Sequence, residues 1–146
     1  MKKVVLAFSG GLDTSFCVPY LKNEKGLEVH TVLVNTGGFS KEEAARIEER
    51  ALTLGAASHT TVDAVDTYYN KGLKYLIYGN VLKNNTYPLS VSSERVFQAL
   101  EVLNTVKKIG AEYVAHGSTG AGNDQVRFDI VFEIMAPEVE ILAPIR

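Results

Sequence analysis

The sequence predicts an α/β fold: an open, mainly parallel five-stranded sheet with helices on both faces. Three observations predict it. Short apolar runs rich in Val and Ile alternate with longer segments of helical period, the pattern of a parallel sheet covered by helices. The first run, Lys3 to Phe8, is nearly continuous in its apolar character, as suits a central strand buried on both faces. Two expected strands also run directly into glycine-rich stretches, Ser9-Gly10-Gly11 and Gly117 to Gly122, and in open parallel sheets the carboxyl ends of neighbouring strands form the ligand crevice.

After the first strand, a helix is expected from about Thr14 to Asn23, with Pro19 removing one backbone donor and delaying or bending it. Glu28 to Val34 is the second strand, and Asn35-Thr36-Gly37-Gly38 supplies the turn. Ser40-Lys41-Glu42-Glu43 reads as a capping box that starts a helix carrying Ala44, Ile47, Ala51 and Leu54 at helical spacing and ending at Gly55. Ser58 to Val62 is the third strand. Val65, Tyr69, Leu73 and Leu76 mark the next helix, followed by an irregular segment from Lys83 to Ser92. Val96, Leu100, Leu103 and Val106 form the stripe of a long helix that stops at Gly110, ahead of a fourth strand, Glu112 to His116. Glu138 to Leu142 is the fifth strand. It has no covering helix behind it, so the protein is expected to continue beyond Arg146.

At 146 residues the chain fits one domain. Lys and Arg number 15 against 17 Asp and Glu, a net charge of -2, so bulk charge offers nothing to nucleic acid. Its 46% hydrophobic and 22% charged residues are those of a folding chain. No apolar run approaches the ~18 residues a membrane helix needs, and the start Met1-Lys2-Lys3 is followed by too few apolar residues for a signal peptide; a cytoplasmic protein is expected. Cys17 is the only cysteine, which excludes an intrachain disulfide and a cysteine-rich zinc site.

The chemistry is expected in the two loops. In Ala7-Phe8-Ser9-Gly10-Gly11-Leu12-Asp13-Thr14-Ser15 the glycines allow close backbone approach, and the helix behind presents unpaired amides and three hydroxyls, an anion cradle suited to phosphate. The alternative is a tight turn in which Asp13 merely caps the helix. If phosphate does bind, Asp13 calls for a counter-ion, since a carboxylate about 4 Å from a phosphate charge costs on the order of 4 kcal/mol at an effective dielectric near 20. A divalent cation would neutralise the pair. Among the other candidates, Ser92 stands equally well as a helix N-cap or a ligand-binding hydroxyl. Asp124 and Arg127 form an i,i+3 pair if no ligand intervenes. His116 reads as a core or loop-orienting residue, Cys17 as packing, and Tyr68 with Tyr69 as core plus surface.

The pattern Ser-Gly-Gly-x-Asp-Thr after a first strand resembles the pyrophosphate loop of the ATP pyrophosphatase superfamily, with its Rossmann-like, adenine nucleotide alpha hydrolase-like fold. The full string Ala7 to Ser15 is similar to that of the argininosuccinate synthase family, and Gly117-Ser118-Thr119-Gly120-Ala121-Gly122-Asn123-Asp124-Gln125-Val126-Arg127-Phe128 is similar to that family's other signature. The resemblance runs over all 146 residues but covers only the nucleotide-binding part, since family members carry a further synthetase domain. It implies a ligase of arginine biosynthesis that joins citrulline to aspartate through a citrullyl adenylate, using ATP with Mg²⁺. It also implies a homotetramer, with no nucleic-acid or membrane partner.

Carried over by resemblance, Ala7, Phe8, Ser9, Gly10, Gly11, Leu12, Asp13, Thr14 and Ser15 hold ATP phosphates, with Val34 and Gly117 beside the nucleoside. Tyr87, Ser92, Asn123 and Arg127 hold citrulline, and Thr119, Asn123 and Asp124 hold aspartate. Catalytic residues and metal ligands are not implied. Ala121 replaces a usual basic residue or Met, Val34 a usual Ala, and Ser90-Val91 a usual Gly-Thr. Two other functions fit the same residues: a different adenylating member of the superfamily, and a non-catalytic ATP-binding module.

Overall fold

A computed structural model describes residues Met1–Arg146. Strands β1 (Lys3–Ala7), β2 (Glu28–Asn35), β3 (Ser58–Asp63), β6 (Tyr113–His116) and β7 (Glu140–Leu142) form one sheet in the order β3-β2-β1-β6-β7. Every pairing in it is parallel, for example Val5 opposite His30 on one side and Val114 on the other. The expected "mainly parallel" sheet is therefore wholly parallel. β1 is central, and the chain leaves it in one direction to β2 and returns on its other side as β6. The β1/β6 boundary is the switch point of the sheet, where the loops after both strands open a crevice.

The alternation of side chains along β1 sorts the core into two layers. Val4, Leu6 and Phe8 pack with Cys17, Val18 and Leu21 of α1 (Leu12–Asn23) and with Ala51 of α2 (Lys41–Thr53). Val5 turns to the other face, with Val32, Val34 and Val114, under Ala99, Val102, Leu103 and Val106 of α5 (Ser90–Ile109) and Phe128 and Phe132 of α6 (Asn123–Met135). Each Val, Leu or Phe among them, fully buried, is worth ~1.5–3 kcal/mol, so these two layers supply most of the driving force for folding.

The capping box forms as expected: Ser40 Oγ accepts from the Glu43 amide at 3.2 Å and Glu43 Oε2 accepts from the Ser40 amide at 2.8 Å. Those bonds draw the Glu43 carboxyl below its ordinary range. Gly55, just past the helix, has φ +102°, a conformation costly for any residue with a Cβ. Likewise α5 ends on left-handed Gly110.

Four expectations need correction. The helix α1 begins at Leu12, two residues early, and runs through Pro19, because only the Ser15 carbonyl loses its donor there. Its N-cap is Gly11, so Asp13 is a first-turn residue and not the cap. Ser92 is not a cap either, since α5 starts at Ser90 behind Leu89. The segment from Lys83 to Ser92 is not irregular throughout. Its first part is a small hairpin, β4 (Leu82–Lys83) against β5 (Tyr87–Pro88), turned by Asn84 and Asn85 at φ 54° and 57°. The edge strand β7 is partly buried, Ile141 against one core layer and Leu142 and Ile145 against the other, and no helix follows it in this chain. Helix α6 had no counterpart in the sequence reading. Between β3 and the hairpin, α3 (Val65–Tyr68) and α4 (Lys74–Tyr78) are joined by a π-helical turn, Tyr69–Leu73. Tyr68 is buried and Tyr69 exposed, as expected.

Candidate nucleotide site

A cleft of about 480 Å³ opens at the β1/β6 switch point. Its phosphate-loop side is Ala7, Phe8, Ser9, Gly11, Leu12, Asp13 and Thr14, and its floor includes Val32, Leu33 and Val34. His116, Gly117, Ser118, Asp124 and Phe128 close the other side. The two glycine-rich loops thus share one cavity. They also touch: a Cβ added to Gly117 would stand 2.9 Å from Thr14 Cγ2 and 3.2 Å from its backbone nitrogen, so only glycine fits there.

The first loop is held mostly by its own atoms. Ser9 Oγ and Thr14 Oγ1 lie 3.3 Å apart, and the Gly11 carbonyl accepts from the Thr14 hydroxyl and from the Ser15 amide. Gly10, at φ +74°, presents its carbonyl to Arg50 of α2 at 2.7 Å, and its Cα faces Ile47. Gly10 and Ser15 therefore shape the loop from behind and do not line the cleft. The Ser15 hydroxyl is enclosed without a hydrogen-bond partner. Cys17 packs beneath, its thiol pushed up to about 11 by burial and by Asp13, which leaves it inert as a nucleophile.

The second side is a chain of charged and polar groups. Asp124, in the first turn of α6, accepts from Arg95 Nε at 3.0 Å and from Arg127 at 2.7 Å. Partial burial works to raise its pKa, but the hydrogen bonds and charges of the two arginines outweigh that and hold the carboxyl below its ordinary range. Arg127 extends a second nitrogen to Ser92 Oγ at 3.0 Å. On the opposite flank Arg95 donates to Gln98, Gln98 to Glu94, and Thr36 of the β2 loop also to Glu94. This network ties α5, α6 and the β2 loop into one rim.

Of the residues singled out from sequence, seven from the first loop line the cleft together with Val34, Gly117 and Asp124. Ser92 and Arg127 join them through Asp124. Thr119 and Asn123 are exposed, one in the second loop and one at the start of α6, and Tyr87 stands half-exposed on the hairpin, away from the cleft lining. The sequence does not single out Glu94, Arg95 or Gln98, which the structure places in the cleft lining. Gln98 stands three and four residues from Arg95 and Glu94 on one helix, a spacing that signals a shared polar face but not its meeting with Asp124. No group of three or more His, Cys, Asp or Glu side chains is arranged to hold a metal ion by itself.

A wholly parallel sheet in the order β3-β2-β1-β6-β7, with two glycine loops meeting at its switch point, defines a Rossmann-like α/β domain with a ligand cleft at its carboxyl edge. Residues 3–146 match the family model of the arginosuccinate synthase N-terminal HUP domain, and the chain belongs to that family. It is 48% identical over 145 residues to an argininosuccinate synthase of Xylella fastidiosa, covering 99% of this chain and 35% of that protein. With the namesake enzyme of Saccharolobus solfataricus it shares 46% identity over 144 residues, 99% of this chain and 36% of the relative. The chain thus spans about a third of the length of these relatives. Among solved structures, a predicted subunit of a tRNA methyltransferase from Methanocaldococcus jannaschii superposes with a TM-score of 0.61 at 20% identity, covering 99% of this chain and 68% of that one. An NMN synthetase from Francisella tularensis gives 0.60 at 12% identity, over 81% and 46%. At those identities the likeness is one of fold.

Proposed function

We propose that this chain is the ATP-binding part of an argininosuccinate synthase, and that the cleft between its two loops takes ATP with citrulline and aspartate at the α5/α6 rim. The observation that carries the reading is the meeting of the loops, with Gly117 against Thr14, beside an ionised Asp124 bracketed by Arg95 and Arg127. One wall is neutral donors and a helix N-terminus, suited to phosphate. The other is a charge network, suited to amino-acid head groups.

In this reading the loop Ala7 to Ser15 cradles the phosphates, and Val34 and Gly117 flank the nucleoside. The citrulline carboxylate meets Arg127, whose terminal nitrogens each keep one N–H beyond those given to Asp124 and Ser92. Tyr87, Ser92 and Asn123 complete that pocket. Asp124 faces the aspartate ammonium, with Thr119 and Asn123 beside it. The ureido oxygen of citrulline forms a bond to the α-phosphorus as the α–β phosphoanhydride breaks and pyrophosphate leaves. The aspartate amine then attacks the activated carbon, and AMP departs. Holding three substrates in line is most of the catalysis asked of this domain. Asp13 is the one carboxylate of the first loop lining the cleft; it is the residue that would hold Mg²⁺, which would neutralise charge on the leaving pyrophosphate.

We further propose that turnover needs the synthetase domain of the family and its homotetramer, in the cytoplasm, with neither nucleic acid nor membrane as partner. Release of labelled pyrophosphate from ATP by the full-length protein tests the reading. Citrulline is expected to stimulate release severalfold or more, and aspartate to convert the adenylate to argininosuccinate. Release indifferent to citrulline would overturn it in favour of another adenylating enzyme, and ATP binding without any release in favour of a binding module.

A further inference from the structure

His116 closes β6 immediately before the second loop, and its side chain is 1% exposed. It stacks on Phe128 at 5.7 Å between ring centroids and leans on Phe132 at 6.4 Å. Both ring nitrogens are engaged: Nδ1 lies 3.2 Å from the Ser118 backbone nitrogen, and Nε2 lies 2.9 Å from Asp129 Oδ1. A backbone amide can only donate, so Nδ1 must offer its lone pair and the ring proton must sit on Nε2, donated to Asp129. Asp129 is fixed in turn, accepting from Gln125 at 3.1 Å and from the Arg146 guanidinium. The amide thus held belongs to the residue after Gly117, the one whose Cα leaves no room for a side chain against Thr14.

We propose that His116 is a positioning residue of the cleft: as the Nε2–H tautomer, locked by Asp129, it hooks the Ser118 amide and so sets the separation of the two loops. The proposal rests on the reading of that cleft as the nucleotide site. An imidazolium has no lone pair for the amide, so the hook exists only in the neutral ring. Burial favours that form and outweighs the pull of Asp129 toward the charged one. Loop spacing matters because a misplacement of about 1 Å near reacting groups is enough to cost on the order of 100-fold in rate.

The test uses the full-length protein and two isosteres. In His116→Asn the amide group falls near Nδ1, so the acceptor for Ser118 is kept and the bond to Asp129 lost. In His116→Gln it falls near Nε2, so Asp129 is still reached and Ser118 is released. We expect the Gln variant to bind ATP at least tenfold more weakly by calorimetric titration, and the Asn variant to recover most of that affinity, with similar melting temperatures for the two. Nitrogen NMR of the unmutated protein should show His116 Nδ1 bare and Nε2 protonated. The opposite tautomer, a Gln variant with unchanged ATP affinity, or equal losses in both variants that follow their melting temperatures would each overturn the hook. Unmutated protein that binds ATP but releases no pyrophosphate with citrulline would instead sink the function proposed above and leave the hook standing. Failure to bind ATP at all would sink both.

Discussion

The two loops that form the cleft are built on opposite plans. The first, Ser9 to Thr14, is fixed from within: two hydroxyls, a left-handed glycine and the opening turn of α1 bond to one another, and only Arg50 reaches in from another element. The second hangs on a buried imidazole, which accepts from the Ser118 amide, and on its own Gly122–Thr119 backbone bond, and it opens onto α6, where Asp124 is held between Arg95 and Arg127. A loop held by its own hydroxyls and backbone leaves the amides of the α1 N-terminus free for a phosphate, with Asp13 as its one charge. Helix residues already ion-paired beside the second loop can discriminate among charged amino acids, because the Asp124 carboxylate and the Arg95 and Arg127 guanidinium groups sit in place. The difference is the basis for proposing the triphosphate at one wall and the head groups at the other.

The sharpest way to break that comparison is to force the walls apart. Gly117→Val places branched carbons where even a Cβ would stand 2.9–3.2 Å from Thr14, partly against backbone that cannot yield. We expect ATP affinity to fall by about 100-fold, roughly 3 kcal/mol, as read by calorimetric titration. Gly10→Ala meets only the movable Ile47 side chain, and its cost is the left-handed backbone, ~1–2 kcal/mol; about a tenfold loss is expected. Equal, unchanged affinity in both variants would mean that the loops do not wall a common site.

The same contrast explains what was legible in the sequence. The first loop is local, so Ser9-Gly10-Gly11 after a continuous apolar run suffices to place it at the end of a central strand. The capping box at Ser40 and the stop at Gly110 are local too, and all three stand as expected. Helix α6 was missed because its apolar residues do not form one stripe. Phe128 and Phe132 are buried, while Val126, Ile130 and Ile134, also four residues apart, face outward. Arg95 became a site residue only when the fold brought α6 across α5, since no sequence spacing links it to Asp124. The cap alternative for Ser92 fails because the apolar stripe of the helix starts six residues inside its true first residue, Ser90.

On the amino-acid wall, Arg127→Ala removes the bonds to Asp124 and Ser92 and the proposed partner of the citrulline carboxylate. A charged hydrogen bond of this kind is worth ~1.5–3 kcal/mol, so citrulline KM should rise about 10- to 100-fold while ATP affinity stays within a few fold. The pair is partly open to solvent, and the loss of stability should stay below about 1 kcal/mol. An equal loss of ATP affinity would erase the division of labour between the walls.

Acid should act first through two imidazoles, one buried and one half-buried. Burial makes His116 and His59 harder to protonate in the folded chain than in the unfolded one. The unfolded state therefore binds more protons as pH drops through about 6.5, and stability that is fully present above that value is lost progressively below it. Asp124 and Asp129, held below the ordinary carboxylate range in the fold, add a further loss at more acid pH. Melting temperature should be level near pH 7.5 and decline from about pH 6.5 downward, with a shallower decline in His116→Gln. A decline of the same slope in that variant would remove His116 from the acid response.

The smallest effect is expected inside the first loop, at Ser15. A helical serine hydroxyl ordinarily donates to the carbonyl four residues back, but the Gly11 carbonyl already accepts from the Ser15 amide at 3.0 Å and from the Thr14 hydroxyl at 3.3 Å. Both of its lone pairs are engaged, and the Ser15 hydroxyl is left enclosed without a partner. An unpaired buried polar group of that kind is a cost, so Ser15→Ala should leave the protein as stable or raise its melting temperature by up to about 4 °C, the equivalent of ~1 kcal/mol for a chain of this size. Because the side chain does not line the cleft, ATP affinity should stay within about twofold, and Ser15 would belong to the site through the shape of its turn. A tenfold loss of ATP affinity in a variant that melts no lower would show that the loop opens on binding and turns this hydroxyl onto the phosphates. The first wall would then be no more self-contained than the second.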